Sequence, residues 1–135
     1  YVPIGGTVEP LTPENYDQGG QYIKMAGNEV FKSAVREMGE AAALALEKAG
    51  CSADELALLI PHQANIRIIE ATAKRVGLPM EKVYVNIDRY GNTSSASVPL
   101  ALWEARQKGK VKNGDLVLMV AFGAGFTWGS VLVRL

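Results

Sequence analysis

The 135-residue sequence has a single cysteine, a single histidine and no long apolar run. With Cys51 alone, no disulfide can form within the chain, and an unpaired thiol fits the reducing conditions of the cytoplasm, where we expect the protein to reside. No apolar stretch approaches the ~18 residues that a membrane-spanning helix needs. We therefore expect no association with a membrane.

Neither sign of charge is in excess, because 14 lysine and arginine residues balance 14 aspartate and glutamate residues. A balanced chain has no overall attraction to nucleic acid, so nucleic acid is not an expected partner. Residues 1–24 contain much Pro, Gly and Asn and little periodicity, which predicts a lead-in loop before one domain at 25–135. Because a compact domain seldom opens on so long a loop, we expect the chain to be cut from something longer.

Apolar periodicity predicts an α/β fold with helices layered on a mixed sheet. The last two strands are expected to form a hairpin. The predicted helices are 27–49, 64–76 and one within 89–109, and the predicted strands are 55–60, 82–87, 116–123 and 129–135.

Three polar or glycine-rich stretches lie where predicted strands end. They are PHQAN at 61–65, YGNTSSAS at 90–97 and AFGAGFTWGS at 121–130. Open α/β sheets bind ligands beyond the carboxyl ends of their strands, so these stretches are the candidate site.

His62 lies just before a predicted helix, where the helix dipole disfavours a cation. A neutral imidazole can donate one hydrogen bond and accept another, which suits the polarisation of a carbonyl group. The alternative is a histidine that only caps a turn or satisfies a buried carbonyl.

Asn92 and the glycines around Ala124 could each have either a structural or a catalytic role. Asn92 could simply cap a helix after a turn at Gly91, or its uncharged amide could join His62 in an oxyanion hole for an enolate. The glycines of FGAGF could form a hairpin turn, or let backbone N–H groups approach an oxyanion. Cys51 is not the expected nucleophile, because reactive cysteines occupy electropositive surroundings and two acidic residues follow it.

Together, PHQAN, GNTSSAS and FGAGFTWGS resemble the C-terminal half of β-ketoacyl-acyl-carrier-protein synthase III, a condensing enzyme of the thiolase superfamily. A fourth matching block is MAGNEVFK at 25–32. The resemblance runs from Met25 to Leu135. It implies a thiolase-like fold that is incomplete without its N-terminal half, and no cofactor.

The resemblance implies a decarboxylative Claisen condensation that initiates fatty acid synthesis. A cysteine thiolate accepts an acyl group from an acyl-CoA, with acetyl-CoA as the expected donor. Malonyl-carrier protein then loses carbon dioxide, and the resulting carbanion attacks the acyl-enzyme to give a 3-oxoacyl-carrier protein. His62 and Asn92 match two members of the family's Cys-His-Asn triad, and both would hold the malonyl thioester oxygen.

The resemblance also implies roles for further residues and for partners. Acyl carrier protein and acyl-CoA are the expected partners, the complete enzyme is expected to be a homodimer, and no metal site is expected. Four basic residues would dock the carrier protein, although exposed basic residues on helices are usually idle. The implied positions are Phe122, Gly123 and Ala124 at the active site, Gly27, Asn28, Phe31 and Asn65 along the pantetheine tunnel, and Lys32, Arg67, Lys74 and Arg75 at the docking surface.

The family's nucleophilic cysteine belongs to the N-terminal half. We therefore expect this chain by itself to be inactive and to expose apolar surface that packs on that half. Two alternatives stay open at this point. One is another thiolase-fold enzyme that condenses acyl-CoA substrates, and the other is a non-catalytic fragment that binds CoA or carrier protein.

Overall fold

The computed structural model describes all residues from 1 to 135 and contains four α helices and three β strands. Two compact units divide the chain, Tyr1–Lys32 and Ser33–Leu135. No helix combines the length and the apolar character needed to cross a bilayer. In chain order the elements are α1 (Gly27–Ala49), β1 (Leu58–Pro61), α2 (Ile66–Val76), α3 (Ile87–Tyr90), α4 (Ser97–Gln107), β2 (Leu116–Gly123) and β3 (Thr127–Arg134).

The unit Tyr1–Lys32 consists mainly of loop, with one short 3₁₀ helix at Tyr16–Gln18 before the start of α1. Backbone hydrogen bonds close the loop, because the Ile4 N–H donates to the Gly20 carbonyl at 3.0 Å. Ile4 also packs on Gly20 so closely that a side chain at position 20 would overlap it. Contacts between residues of the loop itself therefore stabilise its conformation.

Within Ser33–Leu135, helix α1 buries a narrow apolar stripe. Ala34, Met38, Ala42 and Leu46 recur every four residues and are all buried, which places them on one face. Gly50 follows with a φ of +64°, a left-handed conformation that ends a helix and that glycine adopts most easily. The helix predicted at 27–49 is confirmed over its whole length.

The sheet is mixed, with β2 in the centre. Strand β1 pairs parallel with β2, and β2 pairs antiparallel with β3. All four residues of β1 are buried, whereas all eight residues of β3 are at least partly exposed. The predicted hairpin of the last two strands is confirmed.

The core lies between the sheet and the helices. Leu58 and Ile60 of β1 and Val117 of β2 pack with Ala101 and Ala105 of α4. The two alanines are four residues apart on one helix face, and their small side chains let α4 come close to the strands. Helix α2 contacts β1 as well, so helices cover a short mixed sheet as expected.

The strand predicted at 82–87 is wrong. That segment contains the end of a 3₁₀ helix at Met80–Lys82, a single parallel bridge between Leu59 and Val83, and the start of α3. The side chain of Gln63 bonds the Tyr84 carbonyl and the Asn86 N–H, which a neighbouring strand would otherwise satisfy. The apolar run at 82–87 reflects burial, because Val83 and Tyr84 are core residues outside any strand.

Boundary errors elsewhere have local causes in capping side chains. Strand β1 begins at Leu58 instead of residue 55, because Ser52 and Glu55 form a capping box around the 3₁₀ helix Ala53–Glu55. Helix α2 begins at Ile66 instead of residue 64, because Asn65 is its N-cap.

Leu118 in the centre of β2 is completely buried. We expect Leu118→Ala to lower the free energy of unfolding of the complete protein containing this chain by about 3 kcal/mol, because a cavity replaces the side chain. Leu118→Met conserves volume and should cost less than about 1.5 kcal/mol. Urea-induced unfolding measures both, and equal losses would contradict close packing at this position.

Candidate active site

His62 stands at the end of β1, where the strand gives way to the turn before α2. Its backbone N–H donates to the Val120 carbonyl at 2.8 Å, which extends the β1–β2 pairing by one residue. Asn65 then caps α2 by accepting the Arg67 N–H at 2.9 Å. The strand and the capped helix thus fix the backbone on both sides of the half-buried imidazole.

The imidazole of His62 is bonded to Ser97, the first residue of α4. The distance from His62 Nδ1 to Ser97 Oγ is 2.5 Å, and Ser97 is only 1 % exposed. Ser97 Oγ also accepts the Gln63 N–H at 3.3 Å. The end of β1 and the beginning of α4 are therefore joined at the histidine.

Burial lowers the pKa of His62 below its ordinary value of 6.5. The half-buried ring loses part of the solvation that would stabilise an imidazolium, so the neutral form dominates at pH 7. Burial therefore favours the same neutral ring that the helix dipole was expected to favour.

Asn92 is exposed in the turn that precedes α4. Its Oδ1 accepts the Ser94 N–H at 2.9 Å, and Ser94 has a φ of +54°, unusual for a residue other than glycine. The side chain thus closes a turn, but it is not the helix cap considered from the sequence, because the N-cap positions of the following helices are Thr93 and Ala96. No hydrogen bond joins Asn92 to His62, and the amide Nδ2 has no partner within the chain.

The glycine-rich stretch forms the turn of the β2–β3 hairpin, where Gly123 pairs with Thr127. Phe122 and Phe126 contact each other across the turn, with ring centroids 5.1 Å apart. Ala124 is exposed at the tip, and Phe122 and Gly123 are partly buried. The hairpin reading is observed, and the oxyanion role of the Ala124 N–H stays a prediction.

A buried polar network adjoins His62, and the sequence analysis missed it. The Asn86 N–H donates to Gln63 Oε1 at 2.9 Å, and Asn86 Nδ2 donates to Glu104 Oε2 at 3.0 Å. Glu104 is also paired with Lys108 at 2.9 Å and with Arg89. The four-residue spacing of Glu104 and Lys108 was the available signal, but nothing in the sequence marked Asn86 as buried.

The Glu104 carboxylate stays ionised because two cations bind it. The hydrogen bond from Arg89, followed by that from Lys108, holds the pKa of Glu104 well below its usual value of 4.5. The same contacts raise the pKa of Arg89 and of Lys108. The network therefore ties the segment between Asn86 and Arg89 to α4 through charged groups.

The residues predicted for pantetheine and carrier protein belong to α1 and to the start and end of α2. Gly27, Asn28, Phe31 and Lys32 lie in the first two turns of α1, within the unit Tyr1–Lys32. Asn65 uses its side-chain oxygen to cap α2.

The three predicted docking residues of α2 are all exposed. They are Arg67 near the start of the helix, and Lys74 and Arg75 in its last turn. The Arg75 stem packs on Gly39 of α1, where an added Cβ would lie 2.8 Å from Arg75 Cγ. Its position is thus set by helix packing.

Cys51 is a partly buried free thiol whose Sγ lies 3.6 Å from the Ala49 carbonyl oxygen. It does not belong to the cluster around His62. No group of three His, Cys, Asp or Glu side chains could hold a metal ion.

Helices layered on a mixed sheet, with His62 at the end of a buried strand, form part of a thiolase-like fold. The chain belongs to the family described as 3-oxoacyl-[acyl-carrier-protein (ACP)] synthase III C terminal, whose profile matches residues 46–135.

Known relatives share both sequence and structure with the chain. The β-ketoacyl-[acyl-carrier-protein] synthase III of Roseiflexus sp. (strain RS-1) is 56% identical over 133 residues, which are 98% of this chain and 40% of the relative. The crystal structure of 3-oxoacyl-[acyl-carrier-protein] synthase III from Aquifex aeolicus VF5 superposes with a TM-score of 0.83 at 58% identity, covering 85% of this chain and 37% of that one. The corresponding structure from Pseudomonas aeruginosa PAO1 has a TM-score of 0.81 at 43% identity, covering 84% and 36%. The chain thus spans about 40% of the length of the curated relatives it matches.

Glu104→Gln keeps the shape of the side chain and removes its charge. In the complete protein containing this chain we expect it to lower the melting temperature by several degrees at pH 7, because Arg89 and Lys108 lose their partner. Since the pKa of Glu104 is depressed in the folded state, the stabilisation is present above pH 4.5 and is lost as the pH falls through the lower, folded-state value. The difference from wild type should therefore shrink in acid.

The matched control is Glu81→Gln, because Glu81 is exposed and makes no ion pair. Thermal unfolding followed by circular dichroism measures both variants. Equal effects at pH 7 would contradict a stabilising role for the Glu104 cluster.

Proposed function

We propose that the complete enzyme containing this chain is a 3-oxoacyl-[acyl-carrier-protein] synthase III. It condenses an acyl-CoA, with acetyl-CoA as the expected donor, with malonyl-carrier protein and releases carbon dioxide and CoA. The family membership and the names of the relatives support this assignment. The observation that carries it is the half-buried imidazole of His62, bonded through Nδ1 to Ser97 at the end of a buried strand.

His62 suits the decarboxylation step. Its Nδ1 is occupied by Ser97, so Nε2 is the nitrogen left for substrate. As carbon dioxide leaves, the electrons of the breaking bond form an enolate whose charge accumulates on the thioester oxygen. A neutral N–H donor placed at that oxygen stabilises the charge without itself being deprotonated.

Asn92 would supply a second donor to the same oxygen. Its Oδ1 is held by the Ser94 N–H, which orients the amide so that Nδ2 is the free end. Nδ2 can only donate, so it too suits a developing negative charge. The turn and the catalytic role are therefore compatible, with one end of the amide serving each.

The remaining assignments follow the resemblance. Phe122, Gly123 and Ala124 would line the active site, with the Ala124 N–H in the oxyanion hole of acyl transfer. Gly27, Asn28, Phe31 and Asn65 would line the pantetheine tunnel, and Lys32, Arg67, Lys74 and Arg75 would bind the acidic carrier protein. The complete enzyme would be a cytoplasmic homodimer that needs no cofactor.

The nucleophile in this proposal is a cysteine of the N-terminal half. Cys51 is unsuited to the task, because its sulfur faces the Ala49 carbonyl at the end of α1 and no histidine contacts it. The 135-residue chain alone would then form no acyl-enzyme and have no synthase activity.

His62→Ala should separate the two half-reactions of the complete enzyme. We expect decarboxylation of malonyl-carrier protein to fall about 100-fold or more, because one oxyanion donor is lost. Transfer of acetyl from acetyl-CoA to the cysteine should be little changed. Release of labelled carbon dioxide and mass spectrometry of the acyl-enzyme measure the two steps, with Cys51→Ala as the control. Equal losses in both steps would contradict the enolate-stabilising role.

Asn92→Asp distinguishes a catalytic role of Asn92 from a role in the turn alone. Aspartate forms the same kind of turn, so the Ser94 N–H keeps its acceptor. The donor Nδ2 becomes a carboxylate oxygen, which repels the enolate, and we expect decarboxylation to fall about 100-fold or more. If Asn92 only closed the turn, Asn92→Asp would be nearly silent and Asn92→Ala would lower the melting temperature without a selective loss of decarboxylation.

A further inference from the structure

We propose that Ser97 is a positioning residue, which donates its hydroxyl proton to Nδ1 of His62 and so keeps the ring in the tautomer that carries its proton on Nε2. This inference deepens the proposed function, and the effect of Ser97 on catalysis rests on that function. Ser97 was not singled out in the sequence, because its role depends on a contact with a residue 35 positions away.

The hydrogen bonds around Ser97 determine the direction of proton donation. Ser97 Oγ has two polar partners, the Gln63 N–H at 3.3 Å and His62 Nδ1 at 2.5 Å. The Gln63 N–H can only donate, so it occupies an acceptor site of the hydroxyl. The single hydroxyl proton is left with Nδ1 as its acceptor.

The other protonation states of His62 leave a buried group without a partner. If Nδ1 carried a proton, as in the second tautomer or the imidazolium, Ser97 Oγ would receive two N–H groups and its own proton would point at nothing. Ser97 is 1 % exposed, so water does not offer an easy acceptor. Leaving a buried donor unsatisfied is costly, which favours the neutral ring with its proton on Nε2.

The same short segment orients both proposed oxyanion donors. Asn92 holds the Ser94 N–H, the 3₁₀ helix Ser94–Ala96 follows, and Ser97 opens α4 directly after it. Pro99 then restricts the backbone in the first turn of α4. A shift of this segment would therefore change the directions of Nδ2 of Asn92 and Nε2 of His62 together.

Ser97→Ala in the complete enzyme tests the catalytic consequence. We expect decarboxylation of malonyl-carrier protein to fall about tenfold, in line with the loss of one hydrogen bond that biases the ring. Acetyl transfer to the cysteine should be unchanged. Ser97→Thr keeps the hydroxyl and should restore most of the decarboxylation rate, which a general packing defect would not allow. Ser95→Ala, an exposed serine of the same segment, is the control.

The tautomer itself is measured independently of turnover. In enzyme labelled with ¹⁵N-histidine, long-range ¹H–¹⁵N spectra distinguish a protonated from an unprotonated ring nitrogen, and His62→Ala identifies the signals by their loss. We expect an unprotonated Nδ1 in wild type and in Ser97→Thr, and averaged nitrogen shifts in Ser97→Ala. Should Ser97→Ala fail to fold, Ser97→Cys has nearly the same shape and is a weaker donor, so it takes its place.

The outcomes separate this inference from the proposed function. A protonated Nδ1 in wild type, or identical ring signals in wild type and Ser97→Ala, would overturn the inference. A changed tautomer in Ser97→Ala together with normal decarboxylation by His62→Ala would uphold the hydrogen bond and overturn the function of the histidine.

Discussion

The candidate site depends on Gln63, whose buried side-chain amide needs hydrogen-bond partners for both its oxygen and its nitrogen. Its side chain bonds the carbonyls of Pro61 and Tyr84 and the N–H of Asn86, and its backbone N–H bonds Ser97. One residue thus connects the end of β1, the segment before α3 and the start of α4. Since these bonds are out of water, losing any of them leaves a polar group unsatisfied, which gives the arrangement little freedom to move.

Two polar networks with different electrostatic character meet at this residue. On one side, His62 and Ser97 form a neutral pair in which burial keeps the imidazole uncharged. On the other side, Asn86 leads to Glu104, whose carboxylate is held ionised by Arg89 and Lys108. The neutral pair would donate to substrate, whereas the ionic cluster anchors the loop behind it. Because the Glu104 carboxylate belongs to the anchoring cluster, it does not contact the imidazole. A carboxylate in direct contact would favour the imidazolium.

The sequence predicted the elements whose information is local. Helix α1 and strand β2 match their predicted bounds, because an uninterrupted apolar pattern and turn residues define each of them. His62 and Asn92 were candidates because residue type and position at an element boundary already suggest chemistry. The segment at 82–87 was mistaken for a strand because only the Tyr84 N–H bonds β1, whereas a side chain 21 or more residues away bonds the Tyr84 carbonyl and the Asn86 N–H. Ser97 and Glu104 were overlooked for the same reason, since their partners are set by tertiary packing.

The parallel pairing of β1 with β2 has a consequence for the order of folding. The β2–β3 hairpin joins neighbours in sequence and can form early, but β1 reaches β2 only after the whole chain between them has been gathered. Closing so long a loop costs conformational entropy before any contact compensates it, which makes this pairing slow relative to the hairpin. The backbone of His62 is fixed by that same pairing. The contacts of the imidazole therefore form only when this long-range pairing is complete. A chain that has formed its helices and the β2–β3 hairpin, but not the β1–β2 pairing, still lacks the site.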